Sequence, residues 1–245
     1  LPLLEEQPSN LFFIRPRRFG KSIFLSMLRA YYDIAQREKF DKRFGNLWIG
    51  SRPTRLQGTF QILFLDFSRA SGGSGTLAEN FDRYCCMVMD LFGMSYESYY
   101  FPGFAQEMKA QPDFVSKLNY LNLHAAETGA HLYLIIDEYD NFTNQLLTAY
   151  NDPLYEEVTT NDSFLRTFFK VIKAGIGEGS IRTCFCTGVL PATMDDLTSG
   201  YNIAEILTLE PNFLNMLGFT YEETETYLRD RKSTRLNSSH LGISR

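Results

Sequence analysis

Leu11-Phe12-Phe13-Ile14-Arg15-Pro16-Arg17-Arg18-Phe19-Gly20-Lys21-Ser22 decides how the chain is read. Four apolar residues run into a basic turn and then Gly-Lys-Ser. Ile23, Phe24, Met27, Leu28 and Tyr31 follow at a spacing that makes one face of a helix. Strand, loop and helix start, in that order, are the layout of a phosphate-binding loop, where backbone N–H groups and a helix N-terminus receive the anion. Gly20 lets the backbone pass close to a phosphate, Lys21 can reach its oxygens, and Ser22 can offer a hydroxyl to Mg²⁺. The amides of Phe19 to Ser22 are the ones placed to cradle it. The pattern usually opens with a glycine, and Arg15 stands there instead. An arginine before a proline is biased to extended backbone and away from positive φ, so the chain must leave the strand differently. Pro16 has no N–H, but it lies at the strand end of the loop, where one lost donor matters least. Arg17 and Arg18 add charge, and arginine forks suit phosphate. Taken alone, the loop reads equally as a basic turn before a helix.

A second constellation weighs against that bland reading. His131 to Asp140 is an apolar run that ends abruptly in acids, Asp137-Glu138. A parallel sheet gathers ligands at the carboxyl ends of its strands, so Lys21-Ser22 and Asp137-Glu138 are expected on one edge. There Asp137 would hold Mg²⁺ together with Ser22, and Glu138 would orient the attacking water or take its proton. Thr187 closes a further apolar run, Ile181 to Gly188. It reads equally as a γ-phosphate or water contact and as a plain Thr-Gly turn. Asp140 is a weaker second acid or a helix N-cap. Asp66, ending the run Thr59 to Phe67, reads more readily as a structural cap.

The rest of the chain alternates between the two periodicities. Helices are expected after Lys21 to about Ala35, then over Leu77 to Phe92, Phe114 to Thr128 and Asn161 to Ala174. Gly129 stops the third of these. A short fifth strand is expected at Ile206 to Leu209, and Thr220-Tyr221-Glu222-Glu223 reads as a capping box opening a last helix. Arg37 to Trp48 reads as a connector with an aromatic anchor, and Phe101 to Pro112 as irregular. Strands separated by helices imply an α/β fold with a mainly parallel central sheet between helical layers. From Lys232 onward the sequence shows no helical period and no continuity with the helix before it. The expectation is one domain over residues 1–230 and a non-native or disordered tail over residues 231–245.

Composition narrows the function classes. The 245 residues are 44% hydrophobic and 22% charged, enough for a sizeable core. A net charge of −5 argues against nucleic-acid binding by bulk charge and leaves room for a local basic patch. Cys85-Cys86 and Cys184-x-Cys186 lack the spacing of redox or zinc pairs and read as small buried residues in a reducing, cytoplasmic setting. His124, His131 and His240 show no metal-ligand spacing. No apolar run approaches the ~20 residues of a membrane span.

Arg15-Pro16-Arg17-Arg18-Phe19-Gly20-Lys21-Ser22 resembles the phosphate-loop signature of the bacterial AAA-ATPase-like family. Leu65-Asp66-Phe67-Ser68, Ile136-Asp137-Glu138-Tyr139-Asp140, Thr187-Gly188-Val189, Leu197-Thr198-Ser199-Gly200-Tyr201-Asn202 and Leu217-Gly218-Phe219-Thr220 extend the resemblance, in order, to about Arg229. The resemblance implies a three-layer P-loop NTPase of the additional-strand type, with strand order 5-1-4-3-2. It implies ATP as nucleotide, Mg²⁺ as metal, and ATP hydrolysis as the activity of a module in a larger bacterial protein. It makes Arg15 a regular variant of the loop. Family members commonly carry an upstream segment and a downstream nuclease domain, so an N-terminally truncated fragment is expected, with nucleic acid as a partner only through that further domain. Kinship with ring-forming ATPases implies a homo-oligomer by analogy. The alternative readings are a nucleotide-binding switch with little intrinsic turnover, since no arginine finger can be assigned, and a nucleic-acid-associated regulatory module.

Overall fold

The computed structural model describes residues 1–70, 75–141, 164–189 and 205–239, with side chains described as far as Asp230. In chain order the strands are β1 (Asn10–Ile14), β2 (Gln61–Asp66), β3 (Leu132–Asp137), β4 (Ile181–Gly188) and β5 (Glu205–Ile206). The helices are α1 (Pro2–Glu5), α2 (Lys21–Tyr32), α3 (Phe40–Phe44), α4 (Leu77–Tyr96), α5 (Phe104–Ala110), α6 (Phe114–Thr128), α7 (Phe164–Glu178) and α8 (Tyr221–Ser239).

All strand pairings are parallel, and the sheet runs β2-β3-β4-β1-β5. Read from the other edge this is the order 5-1-4-3-2. β1 therefore lies beside β4 rather than β3. The registers align the carboxyl ends: Ile14 faces Gly188, Ile136 faces Cys186, and Asp66 faces Asp137. The residues that follow each apolar run thus emerge on one edge.

The two-residue alternation of each strand divides the core into two layers. Phe12, Leu63, Leu65, Leu134, Ile136, Cys184 and Cys186 face α4, α6 and α7, where Phe81, Met89, Leu118, Leu121 and Phe168 pack. Leu11, Phe13, Ile62, Ile135 and Phe185 face α2 and α3 through Leu25, Leu28, Tyr31, Phe40 and Phe44. Because both faces are covered, β1 and β3 are buried along their whole length, which is why they read as unbroken apolar runs. All four cysteines are free thiols, with Cys85, Cys184 and Cys186 buried.

Some elements depart from the sequence reading. Phe104–Ala110 is a helix where irregular chain was expected. Buried Lys117 completes it, donating to the carbonyls of Met108 and Lys109 (2.8 and 3.0 Å) while paired with Asp90 (2.8 Å). The aromatic anchor expected between Arg37 and Trp48 is the pair Phe40 and Phe44, which are buried on the short helix α3, while Trp48 is 62% exposed with the Arg52 guanidinium over its ring. Only Glu205–Ile206 of the expected fifth strand is extended, and Leu207–Leu209 is a 3₁₀ turn. α8 continues through Lys232 to Ser239 rather than stopping there. Its start carries the expected capping box, Thr220 and Glu223 each accepting the other's backbone N–H. The stretch Leu197 to Asn202 lies outside the described residues, as does the start of the helix expected from Asn161.

Candidate functional site

β1 delivers the basic loop to the carboxyl edge. Arg15 continues the ladder for one more bond, its N–H donating to the Gly188 carbonyl (3.2 Å). Among the described non-glycine residues only Arg18 (φ 70°) and Glu138 (φ 52°) have positive φ. Arg15 does not take a glycine's conformation, and the turn is made at Arg18 and at Gly20 (φ 84°). Gly20 is the N-cap of α2, and no side chain caps that helix. Its first-turn N–H groups are the natural receivers of an anion.

Lys21 begins the helix and is buried. Its Nζ donates to the carbonyls of Arg15 (2.7 Å) and Pro16 (3.0 Å), folding the loop over its own ammonium. Among the described residues no carboxylate lies within ion-pairing distance of it. Burial lowers its pKa from the ordinary value. Asp137, Asp140 and Glu138 pull in the opposite direction, and the Arg17 charge adds to the lowering. A buried ammonium held only by carbonyls is suited to receive a phosphate.

Ser22, one residue on, donates from Oγ to Asp137 Oδ2 (2.9 Å) across 115 residues of sequence. The other carboxylate oxygen of Asp137 accepts from Thr187 Oγ1 (2.6 Å) and from the Glu138 N–H (3.0 Å). Asp137 and Thr187 are both buried. Thr187 also accepts the Tyr139 N–H at its carbonyl (3.1 Å). Asp140 accepts the Val189 N–H (3.0 Å), tying the exits of β3 and β4 together, and the residues whose N–H groups it would cap at a helix start lie outside the described residues. Asp66 caps a 3₁₀ turn through the Ser68 N–H. The half-buried Glu138 carboxyl is pushed above its ordinary value by burial first and then by Asp137, Asp66 and Asp140, with Arg17 opposing.

The structure thus brings Lys21, Ser22, Asp137, Glu138 and Thr187 to one edge. Arg17, Arg18 and Phe19 are exposed in the loop. Neither arginine makes a hydrogen bond or ion pair among the described residues, although the Arg17 charge is felt at both Lys21 and Glu138. Among the described residues no group of three or more His, Cys, Asp or Glu side chains could hold a metal by itself. Ser22 Oγ and Asp137 Oδ2 form a convergent oxygen pair, which fits Mg²⁺, an ion that fills its remaining positions with water and substrate phosphate.

Sequence reasoning missed the seat of the loop. Thr208 Oγ1 accepts the Ile14 N–H (2.7 Å) and donates to the Ile14 carbonyl (3.1 Å). The Arg15 guanidinium lies over the Phe13 ring, 4.6 Å from its centroid, and donates to the carbonyls of Phe213 (3.2 Å) and Leu214 (2.8 Å). Phe19 packs on Gly218 (φ 98°), where a Cβ would come within 2.8 Å of the ring. Gly218 stands within a motif of the family resemblance, but nothing local in the sequence joins it, Thr208 or the Phe213 and Leu214 carbonyls to the loop.

The family model described as "Predicted AAA-ATPase" matches residues 1–198. The chain belongs to this AAA-ATPase-like family. The match takes in both acids of the β3 edge, Thr187 and the whole loop, while the seat around residues 208–218 lies beyond it. No curated protein matches the chain. Family membership makes the chain a member of a nucleotide-binding group, and its α/β sheet is consistent with a P-loop NTPase. Among the described residues no helix is long and apolar enough to cross a membrane.

Proposed function

We propose that the chain is a Mg²⁺-dependent ATP-binding and ATP-hydrolysing module. The observation that carries this reading is the Ser22–Asp137 contact, which joins the helix start after the loop to the acidic end of β3. In this reading the first-turn amides of α2 receive the phosphates, and Lys21 leaves the Arg15 and Pro16 carbonyls to pair with the terminal ones. Ser22 and Asp137 would hold Mg²⁺, which when bound neutralises charge on the phosphate oxygens. Thr187 keeps Asp137 in place with a hydrogen bond to the oxygen that Ser22 does not use. Water attacks the terminal phosphorus, the bond to the bridging oxygen breaks with its electron pair leaving on ADP, and Glu138 takes the water's proton. Its pKa, raised by burial and by the neighbouring Asp137, Asp66 and Asp140, makes it a stronger base toward that water. Arg17 adds positive charge beside the phosphates, and Arg18 stands one residue further on in the same turn.

Measured ATP turnover should depend on Mg²⁺ and fall sharply in Lys21→Ala and Glu138→Gln. Equal turnover in the three proteins would refute the reading. Tight ATP binding with negligible turnover in the unaltered chain would leave the nucleotide-binding switch as the function.

A further inference from the structure

We infer that Arg15 is a positioning residue, a side-chain strut that seats the phosphate loop on the segment after β5. The inference rests on the nucleotide-binding reading and extends it to the residue standing where such loops usually open with glycine.

Three contacts join the loop to that segment, and each holds a different part. Thr208 grips the backbone of Ile14 at the entry. Arg15 spans from the base of the loop to the Phe213 and Leu214 carbonyls. Phe19, near the tip, rests on Gly218. The Arg15 main chain is also where Lys21 rests, through the 2.7 Å bond to the Arg15 carbonyl. Before nucleotide binds, the resting place of the Lys21 ammonium therefore follows the position of Arg15, and the Arg15 side chain fixes that position. Its guanidinium is committed to two carbonyls and stacked on Phe13, so it acts on phosphate through the loop rather than by touching it. A glycine at this position could not make the strut. The turn that a glycine would supply is made by Arg18 and Gly20 instead.

The test uses the full chain and two readouts. Without nucleotide, hydrogen exchange should quicken together in residues 17–24 and 213–218 of Arg15→Ala and Arg15→Gly. Arg15→Lys, which keeps one donor head, should fall between them and the unaltered chain. Gly218→Ala, made on the seat and not on the loop, should also quicken exchange in residues 17–24. Lys117→Met, which weakens the molecule at α5, serves as the control and should lower the melting temperature without changing loop exchange. With nucleotide, Mg-ATP should bind Arg15→Ala and Arg15→Gly about tenfold more weakly, about 1.4 kcal/mol. Unchanged loop exchange in Arg15→Ala, or Arg15→Gly binding as well as the unaltered chain, would overturn the inference. If the unaltered chain binds no nucleotide, the proposed function fails, and the exchange measurements still decide whether the strut exists.

Discussion

Glu138 shows most plainly what the site asks of a single residue. It sits at φ 52° at the end of β3, a conformation that costs a non-glycine residue about 1–3 kcal/mol and is tolerated where surroundings impose it. Its folded-state pKa lies above the ordinary 4.5. The folded chain therefore binds more protons at this group than the unfolded chain does, and stability falls as pH rises through that interval. Glu138→Gln should accordingly melt higher than the unaltered chain at pH 7.5 and lose that advantage as pH falls below 4.5. The same change should cost turnover about 10²–10⁴-fold. Melts at both pH values, with turnover measured alongside, check this; a lower melting temperature at pH 7.5 contradicts it. Thr187→Val removes a 2.6 Å hydrogen bond to the buried Asp137 carboxylate. It should destabilise the chain by about 1–3 kcal/mol and raise the Mg²⁺ concentration needed for turnover, while Thr187→Ser should retain most of both, in denaturant melts and Mg²⁺ titrations. Their shared place on one sheet edge was legible in the sequence because each closes an apolar run, while the hydrogen bond from Thr187 to Asp137 was not. The partners of Arg15 were not, because they are backbone carbonyls 198 and 199 residues away, and carbonyls leave no mark on residue identity.

Elements were legible where periodicity was long enough to carry them. α6 was expected over Phe114 to Thr128 with Gly129 as its stop, and the structure adds the Asp113 carboxylate as its cap. α5 has seven residues, too few to be stable alone or to show a period. It exists because Phe104 and Met108 bury against α4 and α6 and because Lys117 satisfies its last carbonyls. Lys117→Met should therefore cost about 2–4 kcal/mol, since it takes this donor from the Lys109 carbonyl and from Asp90 and leaves the Met108 carbonyl with the Gln111 N–H alone. The Mg-ATP affinity should not change, because α5 packs on α4 and α6, and neither of these carries a residue of the loop or of its seat. Denaturant unfolding beside an ATP titration checks both halves. An equal loss of affinity would mean that the loop's seat extends further than the contacts of Arg15, Phe19 and Thr208.

At the scale of the whole molecule, alternation of strands and helices was enough to give a parallel α/β sheet, because right-handed crossovers leave few other arrangements. Placing β4 between β1 and β3 was not a matter of periodicity. It came with the family resemblance, and the registers Ile14 to Gly188 and Ile136 to Cys186 bear it out. That placement makes the site a junction of three separate chain segments, the loop after β1, the acids after β3 and Thr187 on β4. A ligand bound there holds them together and can bind only the folded chain. Mg-ATP at a hundred times its dissociation constant is then worth about 2.7 kcal/mol, or about 5–10 °C of melting temperature for a chain of this length. The shift should disappear in Lys21→Ala and shrink when EDTA removes the metal. Asp137→Asn should lose the metal-dependent part and keep a smaller, metal-independent one, because Lys21 and the α2 amides still face the phosphates. Thermal melts of the three proteins, with and without EDTA, separate these contributions. A full shift in Asp137→Asn would show that Ser22 and Asp137 do not hold the metal together.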